Sequence, residues 1–376
     1  MKKVQIIALH LSYGGIEKAI SDLANNLSDD YEVEIVSTYK INENPAYNLN
    51  KNINVRYLIE DMVPNRESFY KALKKFNIIK LFKEMFYSIK LLHLKKSCMI
   101  KHLKKTSADY IISTREFHNK LLGKYGNNNS IKIGWEHSHH HGNRSYFKKV
   151  VNSVKKLNYF VLVSEELFSD YHDELVDTNC KCIYIPNMID VKKPIKSKLS
   201  NNNLICVSRF SKEKGISDLI DVINLVKNDY NDVKLNLIGS GPLYEPIKNY
   251  IASNKLDSII TLHGFKDSDY IHNELSNSSL YVMTSFTESF GISLLEAFSH
   301  GVPAIAFDSA EGARKLITNK KNGVLIKNRD KNLMAKSIID LLNNRKLLSE
   351  YGKNSLNVYN KYTPDKVISL WKKILK

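Results

Sequence analysis

Apolar positions along this chain come in short, near-continuous runs set between longer amphipathic stretches. Runs over residues 4–9, 32–37, 55–58, 110–113, 131–135 and 160–164 read as buried strands. The helical spacing over residues 16–27 predicts the first helix. A second alternating series starts at residue 203. It has strands at 203–208, 234–238, 259–262, 280–283, 304–307 and 323–326, and helices at 216–227, 243–253, 293–299, 331–343 and 346–361. A short basic helix over residues 365–376 follows. Strands that alternate with helices, and are apolar on both faces, imply parallel sheets covered by helices on each side.

At 376 residues the chain is longer than one hydrophobic core usually serves. Two doubly wound α/β domains follow, with a polar boundary between Pro186 and Asn201 that carries Pro194 and a run of Lys, Ser and Asn. We assign residues 1–190 to the first domain, 191–361 to the second and 362–376 to a terminal helix. Ligands on such sheets sit beyond the carboxyl ends of the strands, so the loops after strands are where chemistry is sought.

Composition adds one strong feature. The formal net charge is +17, which asks for an acidic partner. From Lys71 to Lys105 there are eleven lysines and one acid, Glu84, interleaved with Phe76, Ile78, Ile79, Phe82, Met85, Phe86, Ile89 and Leu92. The spacing of Phe82, Met85, Phe86, Ile89 and Leu92 is helical, and a basic amphipathic helix reads as an anionic-membrane-surface element. The competing reading is a solvated helix whose stripe packs on its own domain. Nucleic acid is not expected, because zinc-finger spacing, RNP-like aromatics and a helix-turn-helix pattern are all missing. The cysteines Cys98, Cys180, Cys182 and Cys206 form no framework, and Cys180-x-Cys182 reads as two strand-edge thiols. The N-terminal apolar run has no cleavage site, and no segment reaches 18 apolar residues. A reduced, cytoplasmic protein is expected, peripheral to a membrane if the basic helix binds one.

Several loops after strands carry candidate chemistry. Ser12-Tyr13-Gly14-Gly15-Ile16-Glu17 joins a strand to a helix, and its glycines allow backbone approach to an anion at the helix start. Ser208-Arg209-Phe210-Ser211-Lys212-Glu213-Lys214-Gly215 sets a guanidinium and an ammonium before a helix, a pairing suited to a diphosphate. Gly239-Ser240-Gly241-Pro242 reads as a tight turn, and in His263-Gly264-Phe265 the glycine would let a planar base come close. The most informative stretch is Thr287-Glu288-Ser289-Phe290-Gly291-Ile292-Ser293-Leu294-Leu295-Glu296-Ala297. Two carboxylates stand eight residues apart, one on a loop and one inside a helix, with free helix-start amides between them. Glu296 is bracketed by Leu294, Leu295, Ala297 and Phe298, which is unlike a purely solvated carboxylate.

This stretch resembles the E-x7-E motif of the family 4 retaining glycosyltransferases. Gly14-Gly15-Ile16-Glu17 resembles their N-terminal glycine turn, Ile185-Pro186-Asn187-Met188-Ile189-Asp190 their interdomain I-P-N-G-V-D, and Val207-Ser208-Arg209-Phe210 through Lys214-Gly215 their phosphate loop. Leu237-Ile238-Gly239-Ser240-Gly241-Pro242 and Gly301-Val302-Pro303 also fit, so the matches run in order over nearly the whole chain. Ser289 stands where Gly or Pro is frequent, and Met188-Ile189 where Gly-Val is usual.

The resemblance implies a GT-B fold: two Rossmann-like domains facing across a cleft, the first for acceptor and the second for a nucleotide-sugar donor. The terminal helix would pack back on the first domain. It implies metal-independent, retaining transfer from an NDP-sugar, UDP-sugar by preference, to a hydroxyl of a bacterial surface glycan or lipid-linked acceptor, as in capsule, exopolysaccharide or lipopolysaccharide assembly. Carried over by position, Arg209 and Lys214 bind the diphosphate. Glu288 holds sugar hydroxyls and serves catalysis, and Ser289, Phe290, Gly291 and Ile292 line the donor, mainly with backbone amides. Glu296 grips the ribose, and Gly15 lets the first helix face the diphosphate. From the residues themselves, Gly14, Gly264 and Phe265 are added to the donor-binding set.

The family often places a histidine after a first-domain strand, and His137 of Trp135-Glu136-His137-Ser138-His139-His140-His141 is nearest the strand end, with His139 second. A zinc site there is weighed and set aside, because adjacent loop histidines rarely face one ion and no neighbouring acid or cysteine completes a ligand set. Asp109 and Glu116 flank another strand end within possible reach of acceptor but are not assigned. Two other classes remain open: a non-catalytic, membrane-associated sugar-nucleotide binder, and a GT-B sugar-nucleotide epimerase.

Overall fold

The computed structural model of the chain describes residues 1–140, 142–191, 194–230 and 232–376. It divides into two compact units, Met1–Ile185 with Leu370–Lys376, and Pro186–Ser369.

In the first unit β1 (Lys3–Ala8), β2 (Glu32–Tyr39), β3 (Asn54–Ile59), β4 (Tyr110–Ser113), β5 (Ile131–Glu136), β6 (Tyr159–Leu162) and β7 (Lys181–Tyr184) form one sheet in the order β3-β2-β1-β4-β5-β6-β7. The helices that join them are α1 (Gly15–Leu27), α2 (Arg66–Lys74), α3 (Ile78–Leu103), α4 (Glu116–Tyr125), α5 (Arg144–Val154) and α6 (Glu165–Leu175).

The second unit repeats the plan. Strands β8 (Asn203–Val207), β9 (Lys234–Ile238), β10 (Ile260–Gly264), β11 (Leu280–Met283), β12 (Ala304–Phe307) and β13 (Gly323–Ile326) lie in the order β10-β9-β8-β11-β12-β13. Helices α7 (Ile216–Asp229), α8 (Tyr244–Ser253), α9 (Ser268–Ser276), α10 (Ile292–Ser299), α11 (Glu311–Leu316), α12 (Lys331–Asn343) and α13 (Arg345–Tyr359) alternate with these strands and follow them, and α14 (Pro364–Lys372) comes last.

All strand pairs in both sheets are parallel. Helices on both faces bury the central strands: Val4, Ile6, Ile7 and Ala8 of β1, and Leu280, Tyr281 and Val282 of β11, are all buried. The two doubly wound units expected from the sequence are therefore present. In each sheet the strand order reverses direction at one place, between β1 and β4 and between β8 and β11, and crevices for ligands open at such places.

Where the structure adds to the sequence reading, the cause is local. Strand β7 is an edge strand of mostly half-buried residues with little apolar signal, and it carries Cys182. Helix α11 has six residues and contains Gly312, too short for periodicity to show. The segment Leu370–Lys376 belongs to the first unit, where Trp371 is fully buried with its ring 5.1 Å from that of Trp135 and Lys372 pairs with Asp30 at 2.6 Å.

The basic helical region has two apolar faces. Helix α3 packs on the β2–β3 side of its sheet through Tyr87, Leu91, Leu94 and Cys98, against Tyr39 and Ile59. Its other apolar stripe faces outward: Phe82, Phe86, Ile89 and Leu92 are 55–66% exposed, and Phe76, Ile78 and Ile79 more so. That stripe does not serve the core of its own unit. Among the described residues no helix is long and apolar enough to cross a membrane.

Candidate active site

In the second unit the loops at the carboxyl ends of neighbouring strands lie against one another in sheet order. The loop after β8, residues 208–215, carries exposed Arg209, then one tight turn, Lys212–Lys214, and then Gly215 at φ +60° ahead of α7. A glycine is needed there twice over: the left-handed backbone disfavours other residues, and a Cβ would collide with the carbonyl oxygen of Thr284. The loop after β11 is thereby drawn against the loop after β8. The Thr284 hydroxyl donates to the Lys214 carbonyl at 3.2 Å, and the Phe286 amide donates to the Glu213 carbonyl at 2.8 Å. Across this seam the Lys214 ammonium forms an ion pair with the Glu288 carboxylate, both side chains about four-fifths buried.

From Glu288 the chain turns into α10. Gly291, at φ +89°, is its N-cap, and no side chain caps the helix. The amides of Ile292, Ser293 and Leu294 therefore begin the helix without partners in the turn before them, which suits an anion by about 0.3–1 kcal/mol at an exposed helix end. Phe290 is buried edge-on to Tyr362 with centroids 5.5 Å apart, and Ser289 is half-buried. The Glu288 carbonyl accepts the Gly312 amide at 2.6 Å, which fixes the loop from its outer side. The Tyr281 hydroxyl lies 2.8 Å from Ser293 Oγ and 3.1 Å from the Val207 carbonyl, tying α10 to both β8 and β11. Glu296 lies one turn inside the helix and is 7% exposed, as its apolar neighbours in sequence suggested.

On the other side of β8, the Phe210 amide donates to the Ser240 carbonyl at 2.9 Å and the Gly239 amide to the Gly264 carbonyl at 2.8 Å. These two bonds join the loop after β8 to the loop after β9, and that loop to Gly264, which precedes exposed Phe265. Arg209, Lys214, Gly264, Phe265, Glu288, Ser289, Phe290, Gly291, Ile292 and Glu296 thus sit on one edge of one sheet. Gly14, Gly15 and His137 belong to the first unit.

In that unit Gly14 caps α1 in an extended conformation, with its amide 3.3 Å from the Tyr47 hydroxyl, and Gly15 is exposed at the helix start. Glu17, nearly buried, accepts from Arg115 at 3.3 Å and lies 3.7 Å from His10. His137 ends β5. Its ring packs on Trp135 with centroids 4.3 Å apart, and its Nε2 has no hydrogen-bond partner among the described residues. Burial, then the nearby Arg115 charge, lowers its pKa to about 3, so the imidazole is neutral in ordinary conditions.

The residue before it was missed. Glu136 is 4% exposed and accepts the amides of His137 at 3.1 Å and Ser138 at 2.8 Å. Burial pushes its pKa up to about 7, against the opposing effect of those amides and of Arg115. An acid closing an apolar strand was the one sequence signal for it.

His139 and His140 bring ring nitrogens within 4.8 Å of Asp170 and of each other, so an acid does join the histidine loop from α6. The Gly142 amide donates to His140 Nδ1 at 3.2 Å, which leaves His140 Nε2 as the donor to Asp170 at 3.0 Å. His141 lies outside the described residues.

Residues 188–358 match the family model described as glycosyl transferases group 1. The chain is 24% identical to an uncharacterized glycosyltransferase of Haemophilus influenzae over 381 residues, 100% of both chains. It is 29% identical to the poly(ribitol-phosphate) alpha-N-acetylglucosaminyltransferase of Staphylococcus aureus over 251 residues, 65% of this chain and 50% of that protein. The chain spans 36–50% of the length of three of the curated relatives it matches. Among solved structures, S. aureus TarM in complex with fondaparinux, alpha-GlcNAc-glycerol and UDP superposes with a TM-score of 0.80 at 18% identity, covering 100% of this chain and 99% of that one. The fold is GT-B.

Glu136 gives a pH prediction. A carboxyl whose folded pKa is raised favours the folded state most below its unfolded pKa and loses that contribution as pH rises through about 7. Relative to Glu136→Gln, the native protein should lose on the order of 3 kcal/mol of stability between pH 4.5 and 8. Urea unfolding of both proteins across that range measures it; parallel curves would contradict the assignment.

Proposed function

We propose, from the match of residues 188–358 to the model of group 1 glycosyl transferases, that the chain transfers a sugar from a nucleoside diphosphate sugar, a UDP-sugar by preference, to a hydroxyl of a bacterial surface glycan or lipid-linked glycan. The observation that carries this reading is the Lys214–Glu288 pair at the β8–β11 switch point. It sets a cation suited to a diphosphate against a carboxylate suited to sugar hydroxyls, so the anomeric bond that joins the two halves of the donor would lie between them. Relatives named for polyol-phosphate glycosylation and neighbours described with UDP support the choice of donor and of a polymeric, anionic acceptor. A net charge of +17 suits such an acceptor.

The chemistry follows from charge. As the bond from the anomeric carbon to the phosphate oxygen breaks, its electron pair moves onto the diphosphate. Arg209, Lys214 and the opening amides of α10 would stabilise that charge. The acceptor oxygen bonds to the anomeric carbon on the face the phosphate leaves, and its proton passes to a departing phosphate oxygen. Configuration is retained, and no metal enters the scheme. Glu288 orients the sugar, Glu296 holds the ribose diol, and Gly264 with Phe265 receives the base. Glu288 and Glu296 grip different parts of the donor and are not the flanking acid–base pair of a glycosidase.

The outward stripe of α3 with its lysines would hold the enzyme on an anionic membrane surface, peripheral and on the cytoplasmic side, where a lipid-linked acceptor is presented.

Glu288→Ala should lower kcat/KM by about 10²-fold, since it removes charged hydrogen bonds to the donor sugar. NMR of the wild-type product should show the donor's anomeric configuration; an inverted product, or an undiminished rate in the variant, would contradict the scheme. Replacing Lys80, Lys83 and Lys90 by Gln should weaken sedimentation with vesicles containing phosphatidylglycerol by about tenfold, at about 1 kcal/mol or less per lysine. Unchanged binding would remove the membrane assignment and leave the transfer reaction standing.

A further inference from the structure

Below the Lys214–Glu288 seam lies a side chain that no motif marks. Arg329 comes just after β13, four-fifths buried. Its guanidinium donates to the carbonyls of Thr284 at 2.8 Å and Ser285 at 3.2 Å, to Ser309 Oγ at 2.9 Å and to Asp218 Oδ2 at 2.5 Å. The guanidinium carbon also lies 3.6 Å from the centroid of the Phe286 ring and 4.4 Å from that of Phe307. A Cβ placed on Gly215 would stand 3.0 Å from Arg329 Nη2. One planar cation therefore touches the loop after β11 through two backbone carbonyls and an aromatic ring. The same cation reaches the loop after β8 beside Gly215 and the first turn of α7 through Asp218.

Asn328 and Arg329 both have left-handed backbones, φ 56° and 51°, unusual for two consecutive residues other than glycine. Such a conformation persists where surrounding contacts over-determine it, and the contacts of Arg329 are what the conformation delivers.

We propose that Arg329 is a positioning residue of the nucleotide-sugar site, the cross-brace that holds the Lys214 loop and the Glu288 loop in register. The proposal rests on the donor-site reading above. Arg329 itself stays behind the loops and touches them, while Lys214 and Glu288 meet the ligand. A lysine cannot take its place: one ammonium cannot serve two carbonyls, a hydroxyl and a carboxylate in one plane while stacking between two rings. Asp218 keeps a cation from Lys331 at 2.8 Å in any Arg329 variant, so loss of the arginine does not strand a buried carboxylate.

The test is calorimetric titration of UDP into wild type, Arg329→Lys and Arg329→Ala, with melting temperature and steady-state kinetics measured in parallel. Both variants should bind UDP about tenfold more weakly and raise the donor KM by a similar factor, with the acceptor KM unchanged. Wild-type UDP affinity in Arg329→Lys, even at a lowered melting temperature, would make the residue merely stabilising and overturn the proposal. If neither arginine variant folds, Asp218→Asn, which removes one anchor of the brace, should weaken UDP several-fold; unchanged affinity there overturns the proposal equally. A wild type that binds no nucleoside diphosphate would instead overturn the donor-site reading on which the proposal rests.

Discussion

The ion pair between Lys214 and Glu288 is the contact around which the second unit is arranged. It exists because β8 and β11 are neighbours in the sheet although far apart in sequence, so the loops that leave them meet at their carboxyl ends. Everything near the pair serves to bring those loops close. Gly215 removes a side chain that would hold them apart, Thr284 and Phe286 bond across the seam, and Tyr281 ties the start of α10 to β8. The helix that follows then presents its open amides beside the pair, with Glu296 one turn further on. A cation, a carboxylate and a helix start are three different means of holding a charged, hydroxyl-rich ligand, and one strand crossing places all three on one edge.

Much of this was legible in the sequence because its physics is local. The apolar runs of β8, β11 and β12 are buried on both faces, so nearly every residue signals a strand. The spacing from Glu288 through Gly291 to Glu296 encodes a loop, a break and a helix within nine residues. What stayed hidden depends on contacts between distant segments. Arg329 sits in a polar Lys-Asn-Arg-Asp stretch where arginine ordinarily means surface, and only the fold brings it to Asp218 and Thr284. Asp170 reaches His139 and His140 from α6, 30 residues further along, so no reading of the histidine run alone could supply it. Glu136 is a carboxylate at a strand end whose burial, and hence whose shifted pKa, depends on α5 and on Arg115 after β4.

The first unit shows the same division of labour with different chemistry. The loops and helix starts after its strands carry the buried polar groups Glu17, Glu136 and His137 with half-buried Arg115, where the second unit carries cations and open amides. Neutral His137 keeps a buried ring nitrogen without a hydrogen-bond partner among the described residues, and such a group is costly to bury. Helix α3 meanwhile uses one face for the unit's core and leaves a second apolar face among lysines uncovered. A helix with two apolar faces was read from sequence as having one, because the exposed aromatic stripe gives the stronger periodic signal.

The central claim is that the loops after β8 and β11, with the start of α10, form the donor site. The most direct measurement is a crystal structure of the protein with UDP bound. The account predicts diphosphate oxygens within hydrogen-bond distance of Arg209, Lys214 and the first amides of α10, with the ribose hydroxyls on Glu296. UDP bound elsewhere, or bound with its ribose away from Glu296, would contradict it.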